Sequence, residues 1–377
     1  MNFLQKKISL SQLDILHLDI SQKIVFQSAI GTRPSKQALI VRWTDREGNI
    51  GYGESSSRPD PFYSDEFISA SKLCLEAFVF PFLKEEQTYG EVLQVLRRVR
   101  GWNFTKAAVE YAMHDLIERR DGESIFDEWK RPTIDRIPIG ISLGIQKDKA
   151  TFEEVVGRSM QAKYRRLKFK IMPGMDWREG RKSELESESE DAPYISFDAN
   201  GTFLRKDLPQ LEKFIAFGNA LEQPFPPHRI DIYRAAKQQF PGLKVCADEE
   251  VKGIGDLMKL HELKAIDELN IKPGRIGGLY NSIQIADYCL DHGIPAWVGG
   301  MFETGIGRAL NVRFAAHLPD AKAHDLSPSS RYFERDIVKH PLKMDGDGFM
   351  QVSQAKLVEV DEEAIEAFLV DKISLSL

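Results

Sequence analysis

Between residues 137 and 326 the chain carries eight short apolar runs, at 137–142, 167–171, 194–198, 220–222, 245–248, 268–272, 295–299 and 323–326, most of them separated by helix-forming sequence. A strand, a helix and two short loops take roughly 25 residues, and a right-handed series of such units closes into a parallel barrel. That spacing is the strongest constraint on the fold. One interval fits poorly: residues 182–190 read Lys-Ser-Glu-Leu-Glu-Ser-Glu-Ser-Glu, so a helix there has a thin inner face.

The sequence before the barrel has a different pattern. Residues 38–43 alternate as a strand, 44–49 read as a turn, and 50–53 resume the alternation, which predicts an antiparallel hairpin. From 64 to 120 the spacing becomes helical, with Ala107, Ala108, Tyr111, Ala112 and Leu116 on one side and Glu110, Asp115 and Glu118 on the other. Strands followed by helices make an α+β unit. Lys130-Arg131-Pro132 reads as a linker, and beyond Pro328 come a turn at 344–350 and a polar helix after Asp361.

Composition narrows the partners. The 377 residues carry a net charge of −6 with no basic block, which argues against nucleic acid. Cys74, Cys246 and Cys289 are scattered, which suits a reducing compartment. The most apolar stretch, 77–83, is cut by Pro81 and is far too short to span a membrane; Lys6 and Lys7 are followed by Ser, Gln and Asp rather than by the apolar run of an export signal. A cytoplasmic protein without membrane partners is expected, with its oligomeric state open.

The chemistry lies where the apolar runs end, because barrel enzymes keep their reactive groups at the C-terminal ends of strands. In Leu167-Lys168-Phe169-Lys170-Ile171 a period of two turns both lysines to one face, which is a barrel interior or a solvated edge. Asp198, Glu222 and Asp248 each close a run; Asp198 stands 28 residues after Lys170, and the acids follow one another at 24 and 26. Singly, each acid reads as a helix cap or a rim ion pair. Together on one rim they repel, and a hard divalent cation is the simplest remedy; an all-oxygen set favours Mg²⁺ or Mn²⁺ over Zn²⁺. Lys272 ends the next run. Crowded by Lys168 and Lys170, it is expected to lose proton affinity and serve as a base. A divalent cation between candidate lysine bases suits removal of a proton beside a carboxylate. After the seventh run, Gly299-Gly300-Met301-Phe302-Glu303-Thr304-Gly305-Ile306-Gly307-Arg308 lacks the third glycine of a dinucleotide loop; it reads as a tight turn or a close backbone approach to a ligand.

With these motifs in order, Lys168-Phe169-Lys170, Asp198-Ala199-Asn200, Leu221-Glu222-Gln223-Pro224, Ala247-Asp248-Glu249, Lys272-Pro273-Gly274 and the glycine-rich run, the whole chain resembles the enolase superfamily. The resemblance is to its muconate-lactonizing subgroup, and within it to the o-succinylbenzoate synthase and N-acylamino acid racemase family. It implies an α/β fold: a (β/α)7β modified TIM barrel at 131–328, an α+β capping domain at 1–130, and a C-terminal segment, 329–377, returning to the cap. Asp198, Glu222 and Asp248 become Mg²⁺ ligands, Lys170 and Lys272 the acid/base pair, and Glu249 a supporting carboxylate beside the ligands. Lys168 would hold the substrate carboxylate and depress the pKa of Lys170. Ser142, Asn200, Gly300, Met301 and Glu303 would line the substrate pocket, and residues 26–33 match the loop that closes over substrate.

The implied reaction is loss of water from a cyclohexadiene hydroxy-acid to give o-succinylbenzoate, a menaquinone precursor. Lys170 would move the proton, with Lys272 cationic. A racemase needs the same parts with Lys272 neutral. Arg275, three residues on, would favour that chemistry by repulsion or lie on the surface. No lysine or ligand is missing, which argues against a carboxylate-binding barrel without turnover. The His base of mandelate-racemase-like members is absent, since Gly299 and Gly300 follow the seventh run; His324-Asp325-Leu326 does not clearly supply the acidic motif of dipeptide epimerases.

Overall fold

The computed structural model describes residues 2–28, 31–145, 148–175, 192–216 and 218–377. The acidic run at 182–190 and residues 29–30 of the capping loop lie outside them.

The expected hairpin forms within an antiparallel sheet of β1 (Gln12–Ser28), β2 (Gly31–Thr44) and β3 (Ile50–Ser55). Asp45 closes the turn by accepting from the backbone N–H groups of Glu47 and Asn49 on Oδ1. Alternation divides the strands between two cores. Leu13, Ile15, Leu39, Val41 and Trp43 enter the main core, whereas Leu16, Leu18, Ile20, Ala38 and Ile40 enter a second one with Ile306, Tyr332, Phe333 and Ile337. Both faces of this sheet are therefore buried. Helix α1 (Asn103–Asp121) lies against β3 so closely that a Cβ on Gly53 would sit 2.0 Å from the Ala108 carbonyl oxygen.

The barrel is a parallel sheet of seven strands paired in chain order: β4 (Gly140–Leu143), β5 (Arg166–Lys170), β6 (Tyr194–Asp198), β7 (Ala220–Glu222), β8 (Val245–Ala247), β9 (Glu268–Ile271) and β10 (Ala296–Val298). The first apolar run is divided. Arg136–Pro138 leaves the barrel to pair antiparallel with Phe349–Gln351, and only Gly140–Leu143 joins the parallel sheet. The eighth run is reduced to two bridges, Ile139 with His324 and Gly299 with Asp325. It still closes the ring, because Gly140 N–H donates to the His324 carbonyl at 2.6 Å and Asp325 N–H to the Val298 carbonyl at 2.9 Å. The last strand, β11 (Leu369–Ser376), pairs antiparallel with β1. No helix among the described residues is long and apolar enough to cross a membrane.

Two buried carboxylates join the N-terminal unit to barrel helices. Glu54 accepts from Thr304 N–H and Oγ1 and from Gly307 N–H at the start of α2 (Gly305–Ala315); Glu110 accepts from Tyr89 Oη and Tyr280 N–H, both at 2.8 Å. The helix ends favour negative charge, but burial dominates and pushes both carboxyls up to about 7. Their folded pKa values exceed the unfolded ones. The folded state therefore holds extra protons between pH about 4.5 and about 7, and this contribution to stability is lost as pH rises through that window. Glu110→Gln keeps the acceptor oxygen for both donors. Relative to the unmodified protein, it is expected to gain roughly 2–3 kcal/mol between pH 5 and pH 8 in urea unfolding. Parallel curves at the two pH values would refute this.

Candidate active site

Period-two alternation in β5 puts Leu167 and Phe169 in the outer core and turns Lys168 and Lys170 inward, as expected for a barrel interior. The next three strands each end in or lead into an acid. Asp198 is in register with Lys170 on one side and Glu222 on the other, and Asp248 follows β8. All three are fully buried, and each offers an oxygen within 4.8 Å of the others. Lys272 follows β9, so the arc of acids has a lysine-bearing strand on either flank.

Cations hold this charge together. Lys170 Nζ lies 2.6 Å from Asp198 Oδ2, Lys168 Nζ 3.1 Å from Glu222 Oε2 and 3.0 Å from Asp325 Oδ2, and Lys272 Nζ 2.7 Å from Asp248 Oδ2. Burial acts to raise the Asp198 pKa, but Lys170 and Lys168 outweigh it and hold the carboxyl well below the usual range. Among the described residues, Glu222 Oε2 has no hydrogen bond of acceptable geometry despite the nearby Lys168. Three converging buried carboxylates, one with an unsatisfied oxygen and, among the described residues, no His or Cys in the cluster, fit a divalent cation.

The expected loss of proton affinity at Lys272 is not what the structure shows. Burial works in that direction, but Tyr63, Glu249, Glu222 and Asp198 outweigh it and hold the ammonium above the usual lysine range. Crowding by Lys168 and Lys170 is only part of the Lys272 environment, because acidic groups stand beside it as well. Of the two expectations for Arg275, the surface position is not met. It is buried, donates to Asp248 Oδ1, and is fixed by the Asn270 carbonyl at 2.6 Å, so it supports a cation ligand.

Above the acids is a partly open cleft with a cavity volume of about 110 Å³. Ser142, Lys168, Lys170, Asn200, Lys272, Gly300 and Met301 form its barrel wall; Lys36, Ser56, Arg58 and Tyr63 form the wall contributed by the N-terminal sheet and its following loop. A concave site with this mixture of charged and apolar walls suits a small molecule.

A family model described as Enolase C-terminal domain-like matches residues 151–364. This chain belongs to the enolase superfamily. Within its muconate-lactonizing subgroup, the chain is 32% identical over 366 residues to an o-succinylbenzoate synthase of Geobacillus kaustophilus, covering 96% of each chain. It is equally, 32%, identical over 351 residues to an N-succinylamino acid racemase of Thermus thermophilus, covering 92% of this chain and 93% of that one. A solved enolase-superfamily structure from Listeria innocua superposes with a TM-score of 0.88 at 26% identity, covering 98% of this chain and 99% of that one.

In this enolase-superfamily site Asn200 is more than a wall residue. With φ of 45°, it accepts from Lys170 Nζ on Oδ1 at 2.7 Å and donates from Nδ2 to Glu249 Oε1 at 2.9 Å, tying the lysine to the carboxylate behind it. Glu303 does not line the cleft. Its carboxylate turns back into the loop, accepting from Met301 N–H at 2.8 Å and Asn311 Nδ2 at 3.0 Å, with Arg308 at 3.2 Å. The same packing accounts for the paired glycines. A Cβ on Gly299 would fall 2.3 Å from Asn270 Oδ1 and one on Gly300 2.8 Å from Arg308 Nη1, so both spare room for barrel side chains. Sequence reasoning missed Asp325 beside Lys168, and Tyr63, whose hydroxyl is 3.2 Å from Lys272 Nζ. Asp325 lies in the eighth apolar run and was open to the strand-end argument; Tyr63 lies in a loop without periodicity and gave no signal.

Proposed function

We propose that this enzyme is an o-succinylbenzoate synthase, removing water from 2-succinyl-6-hydroxy-2,4-cyclohexadiene-1-carboxylate. The supporting observation is the placement of Lys170 and Lys272 on either flank of the three-carboxylate arc, at the base of one small cleft. Residues 131–328 form the catalytic barrel in this reading, and residues 1–130 with 329–377 form the cap. Mg²⁺ is the assigned cation. Bound by Asp198, Glu222 and Asp248, it supplies electrostatic stabilisation for negative charge developing on the substrate carboxylate. Lys170 takes the proton beside that carboxylate and returns it to the departing hydroxide on the same face. Asn200 orients the Lys170 amine. Lys272 remains an ammonium and stabilises developing negative charge from the other flank; Lys168 binds the substrate carboxylate, and Ser142, Gly300 and Met301 shape the wall around it.

An N-succinylamino acid racemase uses the same two lysines with both exchanging protons, and a relative of equal identity carries that name. Purified protein with Mg²⁺ decides between them. Dehydration is followed by the ultraviolet loss of the cyclohexadiene, and racemisation by polarimetry on N-succinyl amino acids. Efficient dehydration with weaker racemisation is expected; racemisation of equal or greater kcat/KM would overturn the assignment.

A further inference from the structure

The substrates of the two reactions differ at the reacting centre but share an arm: beyond the carboxylate next to the transferred proton, both carry a second carboxylate on a succinyl group. This inference rests on the proposed function and asks which group reads that arm. The cations at the base of the cleft are occupied by buried acids: Lys168 by Glu222 and Asp325, Lys170 by Asp198, Lys272 by Asp248. Arg308 is held by Glu303 at 3.2 Å, and Lys36 contacts the Met301 carbonyl at 3.4 Å and lies 4.0 Å from Glu54.

Arg58 differs. It lies in the cleft wall on the loop after β3, with its backbone fixed by a parallel bridge to Phe67 and a 2.8 Å hydrogen bond from Ile68 N–H to its carbonyl. Among the described residues its anionic partner is Asp60, met at 3.3 Å and 3.4 Å, longer than the 2.7–2.9 Å usual for charge-assisted bonds. The Arg58 side chain is 11% exposed, and its buried Nε, 3.3 Å from Asp60 Oδ1, makes no hydrogen bond of good geometry among the described residues. It is a loosely paired, partly exposed guanidinium on an anchored backbone in the cleft wall.

We propose that Arg58 binds the second carboxylate of a dicarboxylate substrate, making this a specificity determinant for the succinyl arm. The planar guanidinium matches a carboxylate fork, and a substrate acid can take over from the long contacts with Asp60. Arg58 stands away from the reacting atoms, so it acts through binding.

The test is calorimetric titration, with Mg²⁺ present, of o-succinylbenzoate and of 2-butanoylbenzoate, which replaces the terminal carboxylate by a methyl group. The unmodified protein is expected to prefer the diacid by about tenfold or more, the usual worth of a charge-assisted bond. Arg58→Met is expected to bind both compounds alike and to bind the butanoyl compound as the unmodified protein does. Arg58→Lys, which keeps charge without the fork, is expected to recover part of the preference. In turnover, Arg58→Met raises KM and leaves kcat nearly unchanged. An unchanged preference in Arg58→Met, or an equal loss of affinity for both compounds, overturns the proposal and leaves the proposed function standing. Failure of the unmodified protein to bind either compound overturns the proposed function and this inference with it.

Discussion

Lys170→Arg is expected to lower dehydration by about 10³-fold or more, as severely as Lys170→Ala, since a positioned general base is worth 10²–10⁴ and its orientation adds to that. Arginine keeps the positive charge that faces Asp198 Oδ2 at 2.6 Å but cannot give up its proton near neutral pH. Equal damage from the two variants would separate proton transfer from charge compensation, which Lys170→Ala alone removes together. Lys272→Arg provides the contrast. If Lys272 acts only as a cation, its arginine variant retains far more dehydration than Lys170→Arg, whereas in a two-base racemase both substitutions stop turnover. Measured kcat/KM values, with circular dichroism melts to confirm folding, check the ranking. A Lys170→Arg enzyme within tenfold of the unmodified one would rule out Lys170 as the base.

Those residues were legible in the sequence because strands impose two regularities. A period of two fixes the face on which Lys168 and Lys170 emerge, and the recurring strand–helix unit brings Asp198, Glu222 and Asp248 to the same end of adjacent strands. Loops impose neither. Glu303 follows Phe302, which has a φ of 59°, in a turn without period; its inward rotation toward Met301 N–H and Asn311 could not be read from spacing. Arg275 illustrates the same limit. Its position three residues after Lys272 was evident, but the short helix Pro273–Ile276 decides that it reaches Asp248. The wall opposite the barrel was least legible, because Arg58 and Tyr63 belong to a connection between β3 and the following helix whose composition carries no periodic signal. Alternation failed in one instructive place: the runs at 137–142 and 323–326 are apolar enough for full strands, yet one divides between two sheets and the other only bridges its neighbours.

Removing divalent cations with EDTA is expected to abolish turnover, by about 10³-fold or more from the several kcal/mol that a cation contributes to developing charge, while leaving the protein folded. The second half of that expectation follows from the site. Lys168, Lys170, Lys272 and Arg275 already face the three carboxylates, so the apo barrel does not carry bare repulsion in its core. Added Mg²⁺ should restore activity and raise the melting temperature in proportion to the logarithm of its concentration, as mass action requires. Glu222→Gln makes the loss permanent. Glu222 stands at the centre of the arc; its Oε1 accepts from Asn270 Nδ2 at 2.8 Å, a bond glutamine can keep, but the amide replaces a carboxylate oxygen beside Lys168 with a donor. The variant should fold, bind Mg²⁺ far more weakly by calorimetry, and remain inactive at Mg²⁺ concentrations that saturate the unmodified protein. Full activity after exhaustive chelation, or unaltered Mg²⁺ affinity in Glu222→Gln, would show that the carboxylate arc is a structural ion-pair network and that the chemistry lies with the lysines alone.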